Sequence, residues 1–253
     1  MNPESSAVDW NRRFSVQAGW TRPLRVFLMD QIGISSASQV LEVGSGTGVI
    51  LRDTNEKIGC QAVGIDFNLE TLLQNKTIQH DQVISCADVY SLPFPGNSFD
   101  FVISHYFFLW LKYPSRALLE VQRVLKPGGV AIAFAEPDYE ARIDYPEQFQ
   151  PLGDAQTKSL IGQGINSKTG RSLPSFFSTS GFTEIKYGIS GFQIPVQVIN
   201  QDWESEWKIL QYDLSGHFSS AELHQYKSED KISRLSGSRV SWIPTFYAIG
   251  RKN

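Results

Sequence analysis

Short apolar segments alternate with longer amphipathic segments between residues 39 and 136. Runs rich in β-branched and aromatic residues predict five strands, at 39–43, 61–66, 82–86, 99–104 and 130–136. Apolar residues at helical spacing predict intervening helices from about residue 47, over 69–79 and over 114–125. This alternation is typical of a parallel sheet whose strands are joined by right-handed crossovers.

The rest of the chain adds further segments to this alternation. The pattern predicts a helix near 171–180, a strand region over 182–196 and a last strand at 242–250. Segments 1–31 and about 199–240 are amphipathic and lie outside the alternation, so we predict helical cap segments on one domain spanning 1–253. Residues 137–170 show no clear period and are predicted to be rich in loops.

A glycine-rich segment, Leu-Glu-Val-Gly-Ser-Gly-Thr-Gly at 41–48, follows the first predicted strand. Its loop residues Gly44, Ser45, Gly46 and Gly48 let backbone N–H groups approach a ligand at the start of the next helix. A dinucleotide site has the spacing G-x-G-x-x-G, whereas valine stands here in place of the third glycine.

The carboxylate of Glu42, two residues before the first glycine, distinguishes between ligands. It would repel a pyrophosphate and attract an ammonium group, so a zwitterion such as the methionine end of S-adenosylmethionine fits better than a diphosphate. In the alternative interpretation, Glu42 only caps the loop.

Candidate adenosine contacts follow the next two predicted strands. Asp66 is placed to accept both ribose hydroxyls, a role that would serve NAD equally well. Phe67 either stacks on a purine or belongs to the core. Asp88 and the N–H of Val89 are placed to bind adenine, although an aspartate in a loop is usually a turn residue.

Charge and cysteine usage exclude several classes of partner. The 23 basic and 26 acidic residues are evenly scattered, which argues against nucleic acid. Cys60 and Cys86 form neither a disulfide framework nor a zinc motif, so we expect no metal. The N-terminus lacks a secretion signal and the apolar run at 102–111 is too short to span a bilayer, so we expect a cytoplasmic protein without a membrane span. The oligomeric state stays open.

With these motifs in view, the segment 39–136 resembles the class I S-adenosylmethionine-dependent methyltransferases, particularly the ubiquinone/menaquinone C-methyltransferases. The motifs that carry the resemblance are VLEVGSGTG, GID, ADVYSLPFPGNSFDFVIS and RVLKPGG. It implies an α/β, Rossmann-like, doubly wound sheet of seven strands in the order 3-2-1-4-5-7-6, with strand 7 antiparallel. It also implies S-adenosyl-L-methionine as cofactor, the site roles given above, and an N-terminal helix that closes over the cofactor.

Methyl transfer from a sulfonium needs alignment and exclusion of water, and a base only where the acceptor loses a proton. His105, after the fourth predicted strand, is the candidate catalytic base, and Ser104 is predicted to line the methionine portion of the cofactor. Alternatively, His105 is a structural residue. The predicted function is methyl transfer to a small apolar or aromatic acceptor. A non-catalytic protein that binds S-adenosylmethionine or S-adenosylhomocysteine is the alternative, and an NAD(P)-dependent oxidoreductase is less favoured.

Overall fold

The helices and strands are those of a computed structural model, which describes residues 10–60, 62–78, 82–190 and 201–253. In these ranges the helices are α1 Trp10–Ile32, α2 Val49–Ile58, α3 Leu69–Ile78, α4 Pro114–Val124, α5 Gln150–Gly162, α6 Thr169–Thr179, α7 Gln201–Leu214 and α8 Ser220–Leu235. The strands are β1 Val40–Val43, β2 Val63–Asp66, β3 Val83–Cys86, β4 Phe99–Ser104, β5 Leu125–Pro137, β6 Ile143–Tyr145, β7 Thr183–Ile189, β8 Val240–Trp242 and β9 Thr245–Arg251. Residues 191–196 of the predicted strand region lie outside the described residues.

Seven strands form one sheet in the order β3-β2-β1-β4-β5-β9-β7. Neighbouring strands from β3 to β5 run parallel, and β9 runs antiparallel to both β5 and β7. Numbered within this sheet alone, the order is 3-2-1-4-5-7-6 with the last strand antiparallel, which confirms the predicted fold class. Strands β6 and β8 form a separate antiparallel pair that the sequence pattern did not predict.

The sheet has an apolar helical layer on each face. Successive strand residues point to opposite faces, so Leu41 and Val102 pack with α4 and α6, whereas Val40 and Ile103 pack with α1 and α2. The strand β1 pairs with β4 in a register that places Glu42 beside Ile103. Glu42 shares the alternation of Val40, so its side chain is directed to the face covered by α1.

Helix α1 is one helix of 23 residues with Pro23 inside it. Its residues Ala18, Leu28 and Met29 are buried in the core together with residues of α2. The helix is therefore part of the layer that covers the sheet, rather than an addition outside it. Residues 1–9 of the predicted cap segment lie outside the described residues.

Helix α5 occupies a stretch that we predicted to be rich in loops. Its sequence contains Gly153 and residues of low helix propensity, which hides the helical pattern. Tertiary packing stabilises the helix, because Leu152 and Ala155 join the buried cluster formed with Trp203 and Trp207 of α7. A side chain at Gly153 would collide with the ion pair of Arg142 and Asp144.

The Lys-Pro-Gly-Gly stretch bulges inside β5 instead of preceding it. Phe99 pairs with Leu125 and Phe101 with Val130, so the residues between Leu125 and Val130 leave the ladder. Gly128 has a φ of 76°, which glycine adopts without strain. The N–H of Gly128 donates to the carbonyl of Lys252 at 2.9 Å.

The carboxylate of Asp230 holds the two C-terminal helices together. It accepts hydrogen bonds from Trp203 Nε1 at 2.6 Å, Trp207 Nε1 at 2.9 Å, and from Arg234 Nε and Arg239 Nε at 2.8 Å each. Asp230 is 2 % exposed, so these donors replace the water it loses on burial. Helices α7 and α8 are thereby fixed to the segment that leads into β8.

Candidate functional site

The glycines of the loop between β1 and α2 adopt backbone conformations that favour glycine. Gly44, Gly46 and Gly48 have φ angles of 72°, 52° and 76°, in the left-handed region that other residues rarely enter. A Cβ on Gly44 would lie 2.2 Å from Cδ2 of Phe107, the third residue after β4. The loop backbone therefore approaches the end of β4 as closely as glycine allows.

Four buried oxygens beside this loop have no hydrogen-bond partner among the described residues: Glu42 Oε2, Ser45 Oγ, Thr47 Oγ1 and Ser104 Oγ. Three belong to the loop or the strand before it, and Ser104 ends the neighbouring strand β4. Leaving such a group unpaired costs about 1–3 kcal/mol, and most buried polar groups are paired. Their concentration in one place indicates a site that binds a ligand with complementary polar groups.

Burial dominates the electrostatics of Glu42. The side chain is 1 % exposed, and desolvation raises its pKa well above the ordinary value, while nearby Arg25 acts in the opposite direction. A cationic group near Oε2 would therefore favour the ionised carboxylate.

Asp66 anchors the glycine loop and keeps capacity for a ligand. The N–H of Gly46 donates to Oδ2 at 2.9 Å, and the N–H of Asn68 donates to Oδ1 at 2.9 Å. Each carboxylate oxygen has a second lone pair, so both remain able to accept a hydroxyl.

Phe67, Asp88 and Val89 lie at the ends of the adjacent strands β2 and β3. The ring of Phe67 is 80 % exposed, which rules out its alternative role as a core residue. Asp88 is exposed and forms a turn, since its Oδ1 accepts from the N–H of Tyr90 at 2.9 Å, and Val89 is buried. The turn role of Asp88 engages this one oxygen and leaves its Oδ2 open to a ligand.

His105 lies directly after β4, on the side covered by α1. Its Nε2 is 2.8 Å from Thr21 Oγ1, and its ring meets the ring of Tyr106 edge-on with centroids 4.6 Å apart. Burial and the charge of Arg25 lower its pKa well below the ordinary value, so the imidazole is neutral at neutral pH. Tyr106 has a φ of 50°, a strained conformation of the kind found at functional sites.

Sequence reasoning missed Glu136, which shapes the segment after β4. Its buried carboxylate accepts from the N–H groups of Phe107, Phe108 and Leu109 at 2.8, 2.9 and 3.2 Å. Burial raises its pKa to about 7, against the effect of these three donors. An acid at the end of the apolar run of β5 was the available signal, but its partners could not be read from the sequence.

No group of three His, Cys, Asp or Glu residues that could hold a metal occurs among the described residues. In the same part of the chain, no helix is long and apolar enough to cross a membrane. Cys60 is buried and Cys86 is exposed, both as free thiols, and Cys86 Sγ lies 3.5 Å from the carbonyl oxygen of Phe67, at the edge of the site.

Comparison with known proteins shows which family this arrangement resembles. Residues 41–133, from the glycine loop to β5, match the family model described as a methyltransferase domain. The match supports the resemblance of this segment to the class I S-adenosylmethionine-dependent methyltransferases. The chain is 34 % identical over 123 residues to the demethylmenaquinone methyltransferase of Renibacterium salmoninarum, a match that covers 48 % of this chain and 52 % of that protein.

Several solved structures share this fold at low identity. Phosphoethanolamine N-methyltransferase 2 of Haemonchus contortus aligns with a TM-score of 0.60 and 17 % identity, over 92 % of this chain and 53 % of that one. The [4+2]-cyclase SpnF aligns with a TM-score of 0.55 and 19 % identity, over 90 % of this chain and 80 % of that one. At such identities the likeness shows the fold alone.

The match spans about half the length of the first curated relatives, 55 % and 52 %. One solved structure with this fold, phosphoethanolamine N-methyltransferase 2 of Haemonchus contortus, is a complex with S-adenosyl-L-methionine, the cofactor predicted here from the sequence. The residues present fit it, because the unpaired buried oxygens of Glu42, Ser45, Thr47 and Ser104 surround the loop to which the methionine end is assigned.

Proposed function

We propose that this chain transfers a methyl group from S-adenosylmethionine to a small, apolar or aromatic acceptor. The observation that carries the proposal is the set of four unpaired buried oxygens around the glycine loop, with the buried carboxylate of Glu42 among them. A pyrophosphate would meet Glu42 at close range, which disfavours a dinucleotide, whereas an ammonium group would satisfy it. The family match supports the same reading.

In this proposal the cofactor is held along the ends of β1, β2 and β3. Glu42 and the loop residues Gly44, Ser45, Gly46 and Gly48 bind its amino-acid end, together with Ser104. Asp66 binds the ribose, and Phe67, Asp88 and Val89 bind the adenine. The bound cofactor supplies an activated methyl group on a sulfonium, and the protein contributes alignment and exclusion of water.

The residues after β4 and β5 support an apolar or aromatic acceptor. Buried residues Leu109, Tyr139, Leu160 and Ile165 cluster there and pack against Tyr106. Apolar and aromatic linings with a few placed polar groups are usual for small-molecule sites. His105 is the polar group adjoining this cluster, since its ring contacts that of Tyr106.

Calorimetry tests the cofactor half of the proposal. We expect wild-type protein to bind S-adenosylmethionine and S-adenosylhomocysteine, and Glu42→Gln to bind both at least about tenfold more weakly, since a charge-assisted hydrogen bond is lost. Tight binding of NADH without binding of the sulfonium would overturn the proposal.

Transfer of a labelled methyl group tests the catalytic half. The acceptor panel contains a naphthoquinol that lacks a ring methyl, a sterol and a secondary amine, and we expect product with the quinol or the sterol. Cofactor binding with no transfer to any of the three would favour the non-catalytic alternative, and transfer to the amine alone would refute an apolar or aromatic acceptor.

A matched pair of variants tests whether His105 takes part in methyl transfer. We expect His105→Gln to lower kcat while cofactor affinity stays unchanged, because the residue contacts the acceptor side. His224→Gln, on the exposed surface of α8, is the control and should behave as wild type. Unchanged turnover in both variants would remove His105 from the site.

A further inference from the structure

A continuous chain of hydrogen bonds joins His105 to helix α1 and on to α2. Thr21 Oγ1 is 2.8 Å from His105 Nε2, and Arg25 Nη1 donates to the same hydroxyl oxygen at 2.5 Å. Arg25 Nη1 also donates to the carbonyl of Ala18 at 2.6 Å, and Arg25 Nη2 donates to Asp53 Oδ2 at 2.5 Å. Thr21 and Arg25 are 0 % and 1 % exposed, so water does not complete their hydrogen bonds.

The direction of the bond between Thr21 and His105 follows from counting donors. Arginine only donates, so Thr21 Oγ1 accepts from Arg25 and has a single proton to give. That proton has three possible acceptors: His105 Nε2 at 2.8 Å, Ala18 O at 3.4 Å and Gln17 O at 3.5 Å. With its second lone pair Thr21 Oγ1 could instead accept from a protonated Nε2, but its own proton would then have only the two carbonyls at 3.4 and 3.5 Å. The much shorter distance to Nε2 favours donation of the hydroxyl proton to the ring.

A neutral imidazole has one donor nitrogen and one acceptor nitrogen. If Nε2 accepts from Thr21, the ring proton is on Nδ1. Among the described residues no hydrogen bond to Nδ1 is formed, so the hydrogen-bonding capacity of this nitrogen is left for a bound molecule.

We propose that Thr21 and Arg25 keep the proton of His105 on Nδ1, so that His105 meets an oxygen atom of the methyl acceptor as a hydrogen-bond donor. Thr21 and Arg25 are positioning residues that act through the ring. The placement of the proton is independent of the proposed function, whereas the contact with the acceptor rests on it. These contacts favour a donor over the catalytic base predicted from the sequence, because no acceptor nitrogen of the ring remains free.

The surroundings of His105 keep its ring neutral. A neutral ring carries one proton, and its hydrogen bonds then decide which nitrogen holds that proton. Burial lowers the pKa of His105, and the charge of Arg25, which faces the ring from α1, lowers it further. Asp53 on α2 pairs with Arg25 and lies 3.9 Å from Arg22 Nε, and Glu42 on β1 interacts with Arg25. From the ring's own segment, Tyr106 contributes an uncharged aromatic edge.

Long-range ¹H–¹⁵N correlation spectra of the full chain labelled in histidine test the placement of the proton without any acceptor or cofactor. The signal of His105 is the one that disappears in His105→Gln. We expect wild type to show a protonated Nδ1 and an unprotonated Nε2 near neutral pH. A protonated Nε2 in wild type would overturn the proposal, whatever the variants do.

Two substitutions at one position separate the hydroxyl from the fold. Thr21→Ser keeps the donor, so the ring should stay protonated on Nδ1. Thr21→Val has nearly the same shape without the donor, so the proton should move wholly or partly to Nε2. An Nδ1 proton that persists in Thr21→Val would refute the role of Thr21. If that variant does not fold, the wild-type spectrum still decides the tautomer.

Kinetics with an acceptor found in the transfer assay test the donor role. The amide N–H of asparagine lies near the position of Nδ1, so we expect His105→Asn to retain about tenfold more kcat than His105→Gln. Imidazolium keeps its Nδ1–H, so wild-type kcat should not fall tenfold per pH unit below the pKa of His105 measured by NMR. Such a fall would overturn the donor role in favour of the base, and a complete lack of transfer would instead refute the proposed function.

Discussion

Replacing Phe67 by alanine isolates the adenine contact from the rest of the fold. The ring is 80 % exposed after β2, so its loss creates no cavity, and the free energy of unfolding should change by less than about 0.5 kcal/mol. A stacked purine would cover one ring face, roughly 60 Å² of the roughly 150–250 Å² that a fully buried aromatic loses. At about 25 cal/mol per Å² this is about 1.5 kcal/mol, or an increase of about tenfold in the Kd for S-adenosylmethionine.

Calorimetric titration with S-adenosylmethionine and S-adenosylhomocysteine measures this loss, and thermal unfolding measures stability. Leu119→Ala is the matched control. Leu119 is 54 % exposed on α4, so this substitution also removes an exposed apolar side chain, but from another element. We expect the control to keep wild-type affinity. A Phe67→Ala variant that binds within twofold of wild type would refute stacking, and one that unfolds at a markedly lower temperature would refute the exposed position of the ring.

Three further substitutions test the buried carboxylates. Burial raises the pKa of Glu42, so the stability that its protonated form contributes is lost as pH rises through that pKa. Glu42→Gln should therefore raise Tm at about pH 8 and also weaken cofactor binding. A lower Tm in this variant would contradict the expectation. Burial raises the pKa of Glu136 from 4.5 to about 7, so wild type should lose up to about 3 kcal/mol of stability as pH rises through that interval. In Glu136→Gln, the free energy of unfolding measured in urea should not show this dependence on pH. Asp230→Asn should cost about 3 kcal/mol in urea unfolding, because it removes the charge that Arg234 pairs with and weakens two buried indole hydrogen bonds, although Arg239 still pairs with Asp144. A cost below about 1 kcal/mol would show that the cluster is not stabilising.

The hydrogen bonds of α1 connect the stability of the fold to the chemistry of the site. Arg25 is buried, pairs with Asp53 and interacts with Glu42. The same side chain orients the hydroxyl of Thr21 toward His105. Substitution of Arg25 is therefore expected to alter both the proposed cofactor contact of Glu42 and the proposed orientation of His105.

The sequence alone determined the parallel part of the sheet and the outline of the proposed cofactor site. Strand β4 begins and ends where the pattern places it, and β1 and β3 begin within a residue of their predicted starts. These features are readable because their signals are local: alternating apolar residues, glycines that permit a positive φ, and acids at strand ends. Asp66 and Asp88 could be chosen since parallel strands end at the same edge of a sheet.

Only the tertiary structure decided what stabilises these elements and how His105 is held. Helix α5 forms against α7 despite a weak helical pattern, and Glu136 finds its donors in the segment after β4. Thr21 reaches His105 across 84 positions of the chain. A hydrogen bond between distant segments leaves no period or motif in either of them, because its geometry exists only once the layers have packed together.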